Sequence, residues 1–210
     1  MKKVALGCVA IVILLVLIVG VGGCGSYNRL VTLSQDTDAK WAQVQNQYQR
    51  RLDLIPNLVN TVSGAANFEK STLTEITAAR ASVGQVKIDK NQAPTDPAKL
   101  AEFERAQSQL SSALSRLLVV VERYPELKAN SSFRDLQAEL SGTENRIAVE
   151  RMRFNESVQQ YDTAIRKFPT MLWAAVANFH PKPYFQAATG AETPPKVNFD
   201  FGKPAAPAKP

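Results

Sequence analysis

Apolar side chains recur every three or four residues along almost the whole stretch from Tyr27 to Phe168, and that rhythm leaves little room for any fold but packed helices. The clearest stripe is Leu100, Phe103, Gln107, Leu110, Leu114, Leu117, Val121 and Tyr124. It marks one face of a helix about 40 Å long. Thr95 or Asp96 can cap that helix, Pro97 suits its first turn, and Pro125 marks its end. A second stripe runs Phe133, Leu136, Leu140, Thr143, Ile147, Arg151, Phe154, Val158, Tyr161, Ile165, Phe168, and Pro169 ends it. Between Thr143 and Arg151 a step of four replaces a step of three, which relaxes supercoiling. The same place holds the densest charge in the chain: Glu144, Arg146, Glu150, Arg151 and Arg153.

Upstream, Leu30, Ser34, Thr37, Trp41, Val44, Tyr48, Arg51 and Ile55 form a third stripe, and Val59, Val62, Ala66, Glu69, Leu73, Ile76, Arg80 and Val83 continue it. Pro56 interrupts the two. Asp53 can cap a new helix with Pro56 in its first turn, so a tight turn over 52–55 is expected. A kinked helix that breaks nearer Gly64 is the alternative. With the turn near Pro56, four helices of comparable length fill residues 27–169. Antiparallel packing of their stripes then gives an all-α four-helix bundle. Residues 86–96 form the longest interhelical loop.

Before the bundle, Val4 to Ser26 carries no charged side chain. About 20 such residues in a helix span the hydrocarbon core of a bilayer, so 1–26 reads as an N-terminal transmembrane helix whose lipid contact runs over 4–25. Lys2 and Lys3 precede it and only Arg29 closely follows. The positive-inside bias therefore places the N-terminus in the cytoplasm and the bundle outside it. Cys24, in Val21-Gly22-Gly23-Cys24-Gly25, resembles the cysteine that bacterial lipoproteins acylate. A lipoprotein anchored at Cys24 is thus the alternative, although the apolar run exceeds the length of an ordinary signal. Cys8 and Cys24 are about 24 Å apart along one helix and cannot bridge.

Several segments together resemble the LemA family. They are Tyr27-Asn28-Arg29-Leu30-Val31, Trp41-Ala42-Gln43-Val44, the long stretch Gln47 to Val59, Thr77-Ala78-Ala79-Arg80-Ala81, Leu118 to Pro125, Gly142 to Ile147 and Arg153-Phe154-Asn155. Leu52 departs from the alanine expected there. The resemblance implies a single-pass protein of the bacterial cell membrane with an extracytoplasmic four-helix bundle. It implies no enzymatic activity and brings no catalytic residue with it.

Composition excludes more than it assigns. The net charge of +6 comes from 25 basic against 19 acidic residues. Much of the excess sits at the two ends, in Lys2, Lys3 and the tail lysines, which argues against nucleic acid as a partner. Two Cys and one His leave no set of four ligands for a structural zinc, and no Glu-x-x-His pairs exist for a di-iron centre. No cofactor, metal or catalytic residue is expected, and His180 reads as a lone surface side chain.

Arg51, Glu69, Arg80 and Arg151 fall on stripe positions and form a candidate polar layer inside the bundle. Pairing across helices or snorkelling would satisfy them. Residues 170–186 contain the apolar run Met171 to Phe179, which packs over one end of the bundle or lies in the membrane interface. Residues 187–210, rich in Pro and Ala, read as a flexible tail. The expected function is that of a membrane-anchored, non-catalytic module for an unknown protein partner or for self-association. A ligand-binding receptor or enzyme with its site around Glu144 to Arg153 is the rival.

Overall fold

A computed structural model describes residues 2–64 and 68–186, with side chains from residue 23 onward. Among the described residues every regular element is an α-helix. They are α1 (Lys2–Ser63), α2 (Lys70–Gln85), α3 (Pro97–Val121), α4 (Pro125–Ala129), α5 (Ser131–Arg166) and α6 (Thr170–Val176). Among the described residues no helix is long and apolar enough to cross a membrane. The run expected to form the anchor lies largely outside the residues whose side chains are described, and the expected tail lies wholly outside the described residues.

The expected turn over 52–55 is not there. Helix α1 continues through Pro56 and ends at Ser63, next to Gly64. A proline inside a helix removes one hydrogen bond and crowds the preceding turn, a cost of about 3 kcal/mol. Two features offset it. Ile55, Leu58 and Val62 are buried on both sides of the proline, and Arg80 Nε of α2 donates to the Leu52 carbonyl, the acceptor left by the missing Pro56 N–H. The helices are consequently unequal rather than comparable: α1 has 62 residues, α2 only 16, α3 25 and α5 36.

Other boundaries follow local chemistry. Asp96 caps α3 by accepting from Ala98 N at 2.8 Å, with Pro97 in the first turn. Asn130 caps α5 by accepting from Phe133 N at 3.2 Å. The short α4, opened by Pro125, was not apparent from the periodicity. It turns Leu127 into the core.

The core changes composition along its length. At the end far from the N-terminus, Ile55, Leu58 and Val62 of α1 pack with Ile76 of α2, Leu110, Leu114 and Leu117 of α3, and Phe133 and Leu140 of α5. In the middle, Trp41 and Tyr48 meet Phe103, Phe154 and Phe185, so a segment beyond α6 replaces α2. At the near end only α1, α5 and α6 remain, around Leu30, Tyr161, Ile165 and Ala174. Helix α3 begins too late in the chain to cover the near end. The aromatic faces of α1 and α5 are covered there by residues 177–186.

That covering segment is held by specific polar contacts. Asn155 exchanges two hydrogen bonds with the Phe185 backbone, each 2.9 Å. Phe185 stacks on Trp41 with centroids 5.9 Å apart. Tyr161 Oη donates to the His180 carbonyl at 3.0 Å. Lys182 is buried, with Nζ 2.8 Å from Asp38 Oδ1 and within reach of Ser34. Asp38 also accepts from Ala93 N, and Trp41 Nε1 donates to the Asp89 carbonyl, so the same part of α1 pins the 86–96 loop.

Candidate functional site

The charged layer lies beside an open cleft of about 980 Å³. Tyr48 and Arg51 of α1, Leu100 to Ser111 of α3, Glu144, Ile147 and Arg151 of α5, and Pro183, Tyr184 and Gln186 line it. Helix α1 packs chiefly along α5, and α2 chiefly along α3. The cleft opens between the α1–α5 pair and α3, with residues 183–186 beside it.

Arg51 forms its floor. The side chain is only 1% exposed, yet its guanidinium is well supplied. Nη1 donates to Glu144 Oε1 at 2.7 Å and to Ser111 Oγ at 2.9 Å, and Nη2 donates to Gln107 Oε1. The guanidinium carbon also stands 5.2 Å from the centre of the Tyr48 ring. Arg151 occupies the other wall, paired with Glu104 at 2.7 Å, bonded to the Gln186 carbonyl at 3.1 Å and stacked over Phe185. The layer therefore ties α1 to α5, α3 to α5, and the covering segment to α5.

Burial pushes the Glu104 carboxyl above its ordinary pKa, against the opposing pull of Arg151 and the Gln186 backbone. Burial likewise raises Tyr48, with Arg151 and Arg51 pulling the other way. Two side-chain nitrogens at this site, Arg51 Nε and Gln107 Nε2, are buried without an acceptor. Both atoms are sealed from solvent, so a ligand oxygen would meet them only if the side chains turned toward the cleft. The lining contains neither His nor Cys, and Ser111 Oγ accepts from Arg51. Among the described residues no group of three or more His, Cys, Asp and Glu is placed to hold a metal ion.

Of the four residues expected in one polar layer, the structure brings Arg51 and Arg151 to the cleft and leaves the other two elsewhere. Glu69 stands just before α2 and pairs with Arg123 at 2.6 Å. Arg80 is exposed and serves the Leu52 carbonyl. Glu69 falls outside because α2 begins only at Lys70; on α2 the stripe positions Ile76 and Val83 are buried as expected and Thr72 joins them, while Arg80 between them turns outward. Cys24 is exposed with a free thiol. The sequence reading missed Lys182, Asp38 and Asn155. The only signal toward them was Asn155 within the resemblance and the aromatic pair Tyr184-Phe185 beyond a proline-rich break.

The profile of the LemA family matches residues 40–199. The chain belongs to the LemA family. Magnetosome protein MamQ 2 of Paramagnetospirillum magneticum is 27% identical over 194 residues, covering 80% of this chain and 67% of its own. Magnetosome protein MamQ of Magnetospirillum gryphiswaldense is 28% identical over 194 residues, with the same shares. Protein LemA of Metamycoplasma hominis is 26% identical over 164 residues, covering 78% of this chain and 70% of its own. The LemA match spans the described cleft, α6 and the covering segment, so these parts lie within the family's common region.

Proposed function

We propose that this LemA-family protein is a single-pass membrane protein that holds a non-catalytic four-helix bundle outside the cytoplasm to engage a protein partner or another copy of itself. The observation that carries the reading is the continuity of α1, one helix from Lys2 to Ser63. It joins the uncharged run to the bundle without a linker, so the bundle would stand rigidly on its anchor. The ionic side chains of the cleft are spent largely on one another, which suits a structural role better than catalysis. Relatives named as magnetosome proteins bear a name that points to a place in the cell rather than to a reaction.

Membrane fractionation of cells making the full chain tests the anchor. The protein should stay with carbonate-washed membranes, its C-terminal region should be cut by protease added to spheroplasts, and intact mass should retain residues 1–23. Release by carbonate, protection until lysis, or a diacylated Cys24 at the N-terminus would each refute part of this. In-membrane crosslinking with mass spectrometry tests the interaction role. Recovery of only a random sample of membrane proteins counts against it.

A second reading rests on the cleft, where Arg51 Nε and Gln107 Nε2 offer donors without acceptors. On this reading the bundle is a receptor for a small carboxylate- or amide-bearing ligand. Thermal shift screening against such compounds, repeated with Arg51→Met, distinguishes it: stabilisation lost in the variant supports the receptor.

A further inference from the structure

We infer that the bundle makes a second contact with the bilayer, through an apolar collar formed by the outer face of α6 together with Phe168. The inference rests on the membrane anchor proposed above.

Helix α6 has two faces. Thr170 and Ala174 turn inward, Ala174 joining the cluster of Leu30, Tyr161 and Ile165. Trp173 lies flat against Gly23 of α1, and a methyl group added at Gly23 would fall inside the indole's van der Waals surface. The side chain at residue 23 is absent because the indole takes its place, which fixes α6 to α1 at the last turn of the uncharged run. The opposite face should be polar if it met only water. Instead Leu172 is 54% exposed, Val176 79% and Phe168, just before the helix, 77%. Met171 and Tyr27 are exposed beside them. Five of the nine large apolar side chains found exposed among the described residues therefore gather at this one end. Contiguous exposed apolar patches on soluble proteins are small unless they serve an interaction.

The occupant follows from position and charge. A helix carrying the run from Val4 to Ser26 through a bilayer leaves the hydrocarbon near Gly23, so the collar stands at the height of the headgroup boundary. No charged residue occurs from Thr170 to Phe179, while Arg166 and Lys167 border the patch on one side and Arg29 stands near on α1. Aromatic and aliphatic side chains with a basic rim match the interface of a bilayer that contains anionic lipid. With the anchor and the collar both engaged, the bundle has a set tilt and height instead of swivelling on one helix.

The test uses the full chain in vesicles of phosphatidylethanolamine and phosphatidylglycerol. A photoreactive residue is introduced as Leu172→p-benzoylphenylalanine or Val176→p-benzoylphenylalanine, with Val119→p-benzoylphenylalanine as an exposed apolar control at the far end of the bundle. Both α6 positions are exposed, so the replacements leave the core intact, which circular dichroism can verify. Lipid adducts at 172 and 176 with none at 119 are expected. In parallel, lipids brominated along the acyl chain should quench Trp173, and the double variant Leu172→Asp, Val176→Asp should lose at least half of that quenching while still floating with the vesicles. Flotation of the chain with no lipid adduct at 172 or 176 overturns the collar alone. Adducts there only to another protein or to a second copy overturn the bilayer as its occupant. Failure to float overturns the anchor and the collar together.

Discussion

Arg80 Nε donates to the Leu52 carbonyl at 3.2 Å, supplying the hydrogen bond that Pro56 cannot make within α1. An exposed arginine on one helix thus repairs the backbone of another. If so, its worth depends on the proline. Arg80→Ala should cost about 1 kcal/mol in the wild-type background. In Pro56→Ala, where residue 56 regains its N–H, the same substitution should cost about a few tenths of that. Urea unfolding of the four proteins of this cycle checks the coupling. Equal costs in both backgrounds would show that Arg80 does not compensate for the proline.

The pair Arg51–Glu144 is asymmetric, with the arginine side chain 1% and the glutamate 41% exposed. Removing Glu144 leaves a buried cation short of a partner, whereas removing Arg51 leaves a carboxylate that water can reach. Glu144→Gln should therefore destabilise by about 1–3 kcal/mol, and Arg51→Met by clearly less. Denaturation midpoints rank the two, and the reverse order would mean that the cleft solvates Arg51.

Asp38 serves both Lys182 Nζ and Ala93 N. Asp38→Ala should cost about 3 kcal/mol, because it strands a buried ammonium and loosens two segments at once. Lys182→Met, which keeps an apolar stem in place, should cost less. Since Phe185 stacks on Trp41 close by, tryptophan fluorescence should report release of the covering segment at lower urea than the loss of helix in Asp38→Ala.

Tyr161 carries a pH dependence. Burial, with Asp162 and Asp38 adding to it, pushes its phenol from 10.0 up to about 12. A raised folded pKa means the protonated phenol stabilises the fold fully below about pH 10, and the contribution is lost as pH rises through about 12. Tyr161→Phe gives up the bond to the His180 carbonyl and should be about 1 kcal/mol less stable at pH 8. Wild type and variant should converge between pH 10 and 12. Parallel curves would place the alkaline loss on another group.

Much of the helical architecture was legible from residue spacing. The stripe from Leu100 to Val121 is buried at every position, and the second stripe is buried at Thr143, Ile147 and Phe154, with Arg151 at its phase shift half-buried. Phe168 departs because α5 has ended at Arg166, so the stripe no longer has a helix to continue on. Half of the candidate site was legible too: Arg51 and Arg151 reach the cleft. Nothing in their spacing separated them from Glu69 and Arg80, since a periodicity shows neither where a helix stops nor which stripe residue a partner helix covers: Ile76 and Val83 of that stripe are buried while Arg80 is exposed.

By itself the sequence determined the all-helical class, a cap at Thr95 or Asp96 before Pro97 and the uncharged N-terminal run, because these depend on short-range patterns of polarity and on proline chemistry. Only the tertiary structure decided whether Pro56 breaks the chain. Its local cost is outweighed by apolar burial on both sides and by a donor from Arg80, twenty-eight residues beyond the Leu52 carbonyl that it serves. The same holds for the segment after α6. Lys182, Tyr184 and Phe185 have no periodicity to announce them, and they become ordered only because α1 and α5 outrun α3 and leave an aromatic face that must be covered.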